Sequence, residues 1–500
     1  MRALHLLGAS RRSLTLASVT LAAVLGIPLA ALADWGQFQG GPSHEGTSDG
    51  PSAPLEEVWS NDDIEIDDAD VTGGLSPPVV ADDGTIVVVG PNEILGFDGA
   101  DGSELFSTER DIGPTVQPAI GQGPDGSIVV FTEGFGEEGP PTTASSSVSP
   151  SVSPSGSPSP GGPEGTGFDS HVEAVDLRTG EPVWTTPVQL EDVVRTPVAA
   201  DDATAYVGDA GGFVTAIELS SGEVRWTADL GTSIAGAVTP DGDRAYVATL
   251  GEQQTAGVVV ALDVSTGEEV WRTDEDAVLG NLVSGPVVTD GRIFALEPGF
   301  VVALRATDGA LLWRTEIVNP QTTPFSPQGI GSLAPVSADG RVFVVDVSGR
   351  VYALDAETGA ERWDHALNDP SQLSPPVLMA DHVLVPTDAG VLYAVDRRTG
   401  HLAFRIGSRG SFLRGLADAG DLLIGVTGLE DARIVAFGDD PDGSLTDVPS
   451  PTTIDVGKLL AGFGLGAVPV VIVALALTRP LQRRLAPTAG PDDGLEDDPG

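Results

Sequence analysis

A thirteen-residue pattern that recurs along most of the chain constrains its fold more than any other feature. In the copy Val351–Trp363, VYALDAETGAERW, apolar residues alternate as in a half-buried strand, an Asp/Thr/Gly turn follows, and the chain returns to an aromatic residue. The frame is a small residue, a glycine six positions later and an aromatic ring ten positions later, here Ala353, Gly359 and Trp363. Each copy therefore predicts a β-hairpin whose turn glycine supplies a positive φ.

Seven copies of this frame occur, and from Gly180 onward their glycines recur every 41 to 50 residues. The other six are Gly96/Gly102/Phe106, Ala174/Gly180/Trp184, Ala216/Gly222/Trp226, Ala261/Gly267/Trp271, Ala303/Gly309/Trp313 and Ala394/Gly400/Phe404. This period is typical of a four-stranded propeller blade. The repeats therefore predict an all-β propeller of antiparallel blades.

The repeated aromatic rings are predicted to dock one blade on the next, with the small residue leaving room for a ring from the neighbouring blade. A ring of this size buries roughly 150–250 Å², which corresponds to an upper limit of about 4–6 kcal/mol. We favour this structural role over ligand stacking. The predicted docking set is Ala174, Gly180, Trp184, Ala216, Gly222, Trp226, Ala261, Gly267, Trp271, Ala303, Gly309, Trp313, Ala353, Gly359 and Trp363.

Two incomplete copies lie at opposite ends of the repeat region. Leu55–Trp59 matches only the last strand of a repeat, and Arg433–Phe437 matches only the strand before the turn. Together they complete one blade, which gives eight blades and closes the ring without open sheet edges. The predicted propeller spans residues 55–438, preceded by an N-terminal arm at 34–54.

The long interval between Gly102 and Gly180 contains a segment rich in Ser, Pro and Gly at residues 140–165. Such a composition cannot bury a core. Because the repeat resumes in frame at His171, we predict a disordered excursion from the second blade, a candidate for O-glycosylation, rather than a domain boundary.

The two ends of the chain carry targeting patterns. Residues 1–33 combine early arginines, an apolar run and a small-residue cleavage site, which predicts a signal peptide. The pair Arg11-Arg12 fits twin-arginine export or an ordinary secretory signal equally well. After a linker at 439–456, the uncharged stretch Leu459–Leu477 predicts a transmembrane helix at 457–478.

The charges beside this apolar stretch predict its orientation. Arg479, Arg483 and Arg484 follow it, whereas the preceding linker is acidic. The positive-inside rule therefore places the propeller outside the membrane and the tail, residues 479–500, in the cytoplasm. The predicted localisation is the cell membrane, with a single pass.

Composition argues against one class of partner and shows that the fold contains no disulfide. The 73 acidic residues against 25 basic residues give a net charge of −48, which argues against a nucleic-acid-binding surface. Cysteine is absent, so the exported domain must rely on core burial rather than on disulfides.

The repeat resembles the PQQ-like repeat family of eight-bladed propellers, on the VxALDxxTGxxxW pattern and on the Trp35-x-x-Phe38-x-Gly40 opening. The resemblance covers roughly residues 35–437. This chain departs from it at Phe106 and Phe404, at Gly96, and at Arg305, where the Asp of the ALD triplet is expected. The family includes quinoprotein alcohol dehydrogenases and a non-enzymatic assembly lipoprotein of bacterial outer membranes.

The enzymatic branch of this family implies a calcium-bound cofactor in the central funnel, in many members beneath a vicinal disulfide. The chain has no cysteine, and hence neither that disulfide nor a Cys-x-x-Cys-His haem site. We therefore predict no cofactor, name no cofactor-binding set and identify no catalytic residue. The favoured function is a binding or scaffold module of the cell envelope whose partner is an envelope protein or a ligand, such as a cell-wall polysaccharide. The alternative is a membrane-tethered oxidoreductase that uses PQQ and calcium.

No metal site is predicted from spacing. The six histidines are scattered, and we interpret His44 and His171 as exposed loop residues. The acidic run Asn61–Asp70 has the oxygen ligands that calcium prefers but lacks the turn glycine of an EF-hand, so a solvated loop is the better interpretation.

Antiparallel blades place two kinds of loop on one face, those that join successive blades and those that join the second and third strands. This places Asn61–Gly74, the Ser/Pro segment, Arg272–Gly280 and Ile317–Gly331 together. We predict that this face, called the loop face below, recognises the partner.

Overall fold

The computed structural model describes much of the chain between residues 37 and 440. The gaps in the description are 42–43, 45, 49, 52–53, 65–73, 135–169, 252–256, 275–281, 283, 318–333, 368, 372–373, 380, 409, 411, 413–414 and 429–431. The predicted signal peptide, linker, transmembrane helix and cytoplasmic tail lie outside the described residues, as does the Ser/Pro segment 140–165.

Eight sheets surround a common axis, which confirms the predicted eight-bladed all-β propeller. Blade 1 contains β3 (Val79–Val80), β4 (Thr85–Val89), β5 (Glu93–Asp98) and β6 (Glu104–Glu109). Blade 2 contains β7 (Ala119–Gln122), β8 (Ser127–Glu133), β9 (His171–Asp176) and β10 (Val188–Gln189). Blade 3 contains β11 (Ala199–Ala200), β12 (Thr204–Gly208), β13 (Phe213–Glu218) and β14 (Val224–Asp229). Blade 4 contains β15 (Thr239–Asp241), β16 (Arg244–Ala248), β17 (Val259–Asp263) and β18 (Glu269–Arg272).

The remaining blades follow the same antiparallel order. Blade 5 contains β19 (Val287–Thr289), β20 (Arg292–Glu297), β21 (Phe300–Arg305) and β22 (Leu311–Glu316). Blade 6 contains β23 (Val336–Ala338), β24 (Arg341–Val345), β25 (Arg350–Asp355) and β26 (Glu361–Ala366). Blade 7 contains β27 (Val377–Met379), β28 (His382–Pro386), β29 (Val391–Asp396) and β30 (Leu402–Gly407). Blade 8 contains β31 (Leu416–Asp418), β32 (Leu423–Thr427), β33 (Arg433–Asp439) and, from the other end of the domain, β2 (Leu55–Asn61).

The closing blade joins the two ends of the propeller as predicted. Strand β2 pairs antiparallel with β33, from Leu55 opposite Asp439 to Asn61 opposite Ile434. Arg433 reinforces the pair, because its guanidinium lies 2.9 Å from a carboxylate oxygen of Glu57 and 2.9 Å from one of Asp62. Strand pairing therefore continues through the blade in which the two ends of the ring meet.

The hydrophobic core lies between blades. The second and third strands of each blade are almost wholly buried, whereas the fourth strands are largely exposed or half-buried, as β25 and β26 of blade 6 show. One representative cluster packs Phe294 and Val301 of blade 5 against Val342 and Tyr352 of blade 6. Burial of apolar area across these junctions stabilises the ring as a whole.

One further strand lies outside the four-stranded pattern. Strand β1 (Thr47–Ser48) pairs parallel with β27, the first strand of blade 7. The first strands of neighbouring blades contact one another around the axis. The pairing therefore places the N-terminal arm against the inner wall of the ring.

Within the part of residues 37–440 that the structure describes, no helix has the length and hydrophobicity required to cross a bilayer.

Candidate functional site

The N-terminal arm reaches the centre of the ring through its glutamines. The Gln37 side chain donates to the carbonyl of Ala200 and accepts from its amide, both at 2.8 Å. Gln39 donates to the carbonyl of Pro335 at 3.1 Å. Two residues of the arm therefore bind backbone groups on blades 3 and 6.

Apolar and aromatic contacts continue the docking of the arm. Phe38 is buried in a cluster with Ala237, Val287 and Ala334, at the inner ends of blades 4, 5 and 6. The Phe38 ring also meets the His44 ring edge to face, with centroids 5.4 Å apart. The arm thus contacts the inner ends of blades 3 to 6 and, through β1, the first strand of blade 7.

The prediction that His44 is an exposed loop residue was wrong. His44 is 0% exposed, its Nδ1 lies 3.1 Å from Thr239 Oγ1, and that hydroxyl donates to the Pro286 carbonyl. Burial lowers the pKa of His44 from 6.5 to about 3, so the docked imidazole is neutral at pH 7. Local sequence did not reveal this, because Thr239, the partner of the His44 Nδ1 atom, lies about 200 positions away along the chain.

The aromatic rings and turn glycines of the frame meet in a regular contact between blades. The Trp226 ring lies against Gly267 of the next blade, where an added Cβ would fall 2.6 Å from the ring atom Cδ2. Its indole nitrogen donates to the carbonyl of Val264, also in the next blade, at 2.9 Å. The same ring-on-glycine arrangement joins Trp184 to Gly222, Trp271 to Gly309, Trp313 to Gly359, Trp363 to Gly400, Phe106 to Gly180 and Trp59 to Gly102.

The small residue of the frame has a different neighbour from the one that we expected. Ala216, Ala261, Ala303 and Ala353 are the cross-strand partners of the tryptophans in their own blades, each beside a β-bulge. The neighbouring blade's ring lies on the turn glycine instead. Ala174 lies in blade 2, whose fourth strand is only the short β10.

Most of the loops that we assigned to the loop face lie outside the described residues. Their described ends nevertheless show one concentration of polar side chains, at the junction of blades 1 and 2. There β8 ends at Glu133 and β9 begins at His171. The loop that connects blade 1 to blade 2 passes beside these two residues, carrying Arg110 and Asp111.

Four side chains form what we call the junction cluster: Asp111, Glu133, His171 and Glu173. Glu133 and His171 are cross-strand partners on β8 and β9. His171 Nε2 lies 2.9 Å from a carboxylate oxygen of Glu133 and 3.7 Å from one of Glu173. Ligand-type atoms of Asp111, Glu133 and His171 all lie within 4.8 Å of one another.

Arg110 fixes the loop that carries Asp111. This buried guanidinium donates to the carbonyls of Gly90 at 3.0 Å, Asp111 at 3.2 Å and Pro114 at 3.4 Å. Burial lowers the pKa of Arg110 to about 10, against the opposing effects of Glu133 and Asp111. The pKa of Glu173 is raised by partial burial and by the nearby Glu133 carboxylate.

The prediction that His171 is exposed was also wrong, since it is 7% exposed. Sequence spacing missed the junction cluster because its members lie in three separate segments, at Asp111, Glu133 and His171 to Glu173. The available signal was the register of the repeat, which places the end of the second strand beside the start of the third. Of the acidic run Asn61–Asp70, only the first residues are described, and Asp62 pairs with Arg433.

These features define the class of protein, an eight-bladed propeller of PQQ-like repeats. A family model, PQQ_2, described as outer membrane protein assembly factor BamB, matches residues 169–349, 255–403 and 325–437, which together span more than half of the chain. The chain belongs to this family of PQQ-like repeat proteins.

Individual relatives are more distant. The outer membrane protein assembly factor BamB of Moranella endobia is 25% identical over 244 residues, which cover 46% of this chain and 58% of that protein. The chain thus matches little more than half the length of this relative.

Solved structures share the fold. The structure of BamB from Moraxella catarrhalis aligns with a TM-score of 0.54 at 17% identity, over 78% of this chain and 100% of that one. A europium-containing methanol dehydrogenase aligns with a TM-score of 0.61 at 14% identity, over 82% of this chain and 98% of that one. At these identities the likeness concerns the fold alone.

Proposed function

We propose that this chain is a protein-binding scaffold of the cell envelope, held at the membrane and acting through the loop face of its propeller. The observation that carries the proposal is the N-terminal arm, which occupies the inner wall of the ring through Gln37, Phe38, Gln39 and His44. A small molecule at this level of the channel would have to displace the arm. The outer faces are therefore the surfaces left for recognition.

The residues around the axis also fit the PQQ cofactor poorly. PQQ is a tricarboxylate, so a site for it requires cations or many directed donors. None of the eight inner strands, β3, β7, β11, β15, β19, β23, β27 and β31, contains a lysine or arginine. At the level of these strands the described channel offers no basic side chain, and the arm lies against it, which favours the scaffold over the oxidoreductase.

The proposed attachment to the membrane is supported by the sequence and by the similarity to known proteins. The apolar stretch within residues 457–478 and the arginines after it support a single-pass anchor, with the propeller outside the cytoplasm. Relatives named as outer membrane protein assembly factors support an envelope location with protein partners. We expect the partner to be an envelope protein.

Site-specific photo-crosslinking in cells of the native host tests the scaffold function. Photoreactive residues are placed at Asp63 and Asp274, in blade-connecting loops on the loop face, and at Asp101 and Glu357, in turns on the opposite face. All four positions are exposed and acidic, so the variants are matched in charge. We expect Asp63 and Asp274 to crosslink to the same envelope protein, and Asp101 and Glu357 to give no adduct with it.

Two results would overturn the proposal. One is an equal yield of that adduct from both faces, or a yield only from the opposite face. The other is retention of a quinone absorbance by the purified chain after incubation with PQQ and calcium, together with oxidation of an alcohol or sugar.

A further inference from the structure

We propose that Asp111, Glu133 and His171 of the junction cluster bind a divalent first-row transition ion, with Zn²⁺ as the best match. The site would join the loop between blades 1 and 2 to the ends of β8 and β9. The inference is independent of the identity of any protein partner.

The first support is a partly preformed ligand pair. Glu133 and His171 are fixed opposite each other by sheet register, with side chains only 5% and 9% exposed. Zinc–ligand bonds of about 2.0–2.2 Å place neighbouring ligand atoms roughly 3.3–3.5 Å apart in a tetrahedral site. The distance of 2.9 Å between His171 Nε2 and Glu133 already lies close to this value, and the limit of 4.8 Å for the three residues leaves only a small closure for Asp111.

The second support is the difference between Glu133 and the equivalent acidic residues of other blades. Asp209 and Asp346 also follow second strands on this face, but they accept backbone amides of their own hairpins, from Phe213 at 2.9 Å and from Arg350 at 3.0 Å. Glu297 pairs with Arg314 at 2.7 Å. Glu133 instead faces an imidazole and lies beside two further carboxylates, which is a set of ligand atoms rather than a turn cap.

The third support is charge. Three carboxylates, Asp111, Glu133 and Glu173, lie around His171, and Arg110 is the one arginine whose charge acts on Glu133 and Asp111. Carboxylates therefore outnumber the arginine in this cluster, and a divalent cation would offset the excess of negative charge. Since Arg110 is occupied by three backbone carbonyls, it holds the loop in place without entering the ligand set.

The ligand types select the ion. An imidazole nitrogen with carboxylate oxygens suits zinc and its first-row neighbours, whereas calcium and magnesium prefer oxygen ligands throughout. Asp111 is exposed, so the ion would be reached from solvent on the loop face. Glu173, 3.7 Å from the same Nε2 atom, would accept a hydrogen bond from a water coordinated to the ion.

Zinc binding by the full chain tests the proposal. The chelator-treated chain is dialysed against ZnCl₂ in 0.15 M NaCl with millimolar Mg²⁺ and Ca²⁺, which occupy the acidic surface. We expect one zinc ion retained per chain and a melting temperature raised by zinc. His171→Ala and Asp111→Asn should each weaken the affinity at least tenfold.

Matched variants separate a lost ligand from a lost fold. Asp111→Asn alters an exposed side chain and leaves the buried Glu133–His171 pair in place, so its metal-free melting temperature should equal that of the wild type. His401→Ala removes an exposed histidine in blade 7 and should leave zinc retention unchanged. The Co²⁺-loaded chain should show visible absorption that Asp111→Asn alters.

The proposal fails if the wild type retains no more zinc than His171→Ala, or if Mg²⁺ and Ca²⁺ displace the bound zinc. It also fails if Asp111→Asn folds normally and binds zinc with unchanged affinity. If the wild type retains no more zinc than His171→Ala, the contact between Glu133 and His171 belongs to the fold and not to a metal site.

Discussion

Two glycines of blade 4, Gly242 and Gly267, adopt the same left-handed backbone conformation in different surroundings. Their φ angles are +62° and +72°. An added Cβ at Gly242 would meet no atom within 4 Å, whereas at Gly267 it would meet the Trp226 ring at 2.6 Å. The pair therefore separates the cost of the backbone conformation from the cost of disturbing an interblade ring.

Alanine at each position should show that difference. Gly242→Ala should cost about 1–2 kcal/mol, the penalty for an L-residue in this region. Gly267→Ala should cost about 1–3 kcal/mol more, because the ring must shift from its place and from its bond to Val264. Urea denaturation of both variants measures the difference, and equal midpoints would show that the ring contact contributes little.

At the scale of an element, the N-terminal arm is a short segment that depends on the ring for its burial. Two of its residues, Gln39 and His44, have positive φ angles of 51° and 57°. Such conformations persist in non-glycine residues when surrounding contacts hold them. Conditions that favour protonation of His44 should therefore weaken the docking of the arm.

Acid should weaken the docked arm through His44. Above pH 6.5 the imidazole is neutral whether docked or released, so it contributes no pH dependence. Below pH 6.5 the released state binds a proton that the docked state, with a pKa of about 3, does not bind, and stability falls with pH. The expected loss at pH 5 is about 2 kcal/mol.

The variant His44→Asn isolates this effect, since asparagine tolerates a left-handed backbone and does not titrate. Between pH 7 and pH 5, the wild type should lose about 2 kcal/mol more stability than His44→Asn. Thermal melting with hydrogen exchange of residues 37–48 provides the measurement. Parallel pH profiles for the two proteins would contradict the assignment.

At the scale of the whole molecule, the ring is closed by strands from its two ends. Arg433 connects them, since its 6% exposed side chain contacts Glu57 and Asp62. An ion pair between blades 6 and 7, Arg397 with Asp339 at 2.9 Å, is more exposed, since its arginine side chain is 25% exposed and its carboxylate 63%. Substitution of Arg433 therefore tests an ion pair that closes the ring, and substitution of Arg397 tests a more exposed ion pair as its control.

Arg433→Met should lower the free energy of unfolding by about 1–3 kcal/mol, a value discounted because both carboxylates reach solvent. Arg397→Met should cost less than about 1 kcal/mol. Guanidinium chloride should not be used for this test, because it screens ion pairs, so urea is the denaturant of choice. Equal losses would mean that closure depends on strand pairing alone.

The architecture followed from the sequence because each blade repeats the same local frame. Gly359 and Trp363 lie within one hairpin, and two half-repeats at Leu55 and Arg433 indicated their own pairing. The junction cluster and the burial of His44 did not follow. The cluster joins Asp111 of a blade-connecting loop to two strands that are far apart in sequence, and His44 is buried only by inner strands of the assembled ring. The contacts of the aromatic side chains were also predicted incorrectly, on the alanine of the next blade, whereas the structure places them on its turn glycine. Spacing within one hairpin carries no information on how neighbouring blades are rotated relative to each other.

The geometry of closure also has a mechanical consequence. Pro54 and Asp440, at the entry and exit of the propeller, are joined by a hydrogen bond of 2.9 Å. A pull between these two points would load the β2–β33 ladder from one end and break its bonds in sequence, as in a zipper. Tension applied between the two ends of the propeller would thus open the ring at low force. A force applied across the blades would instead be shared among many hydrogen bonds at once.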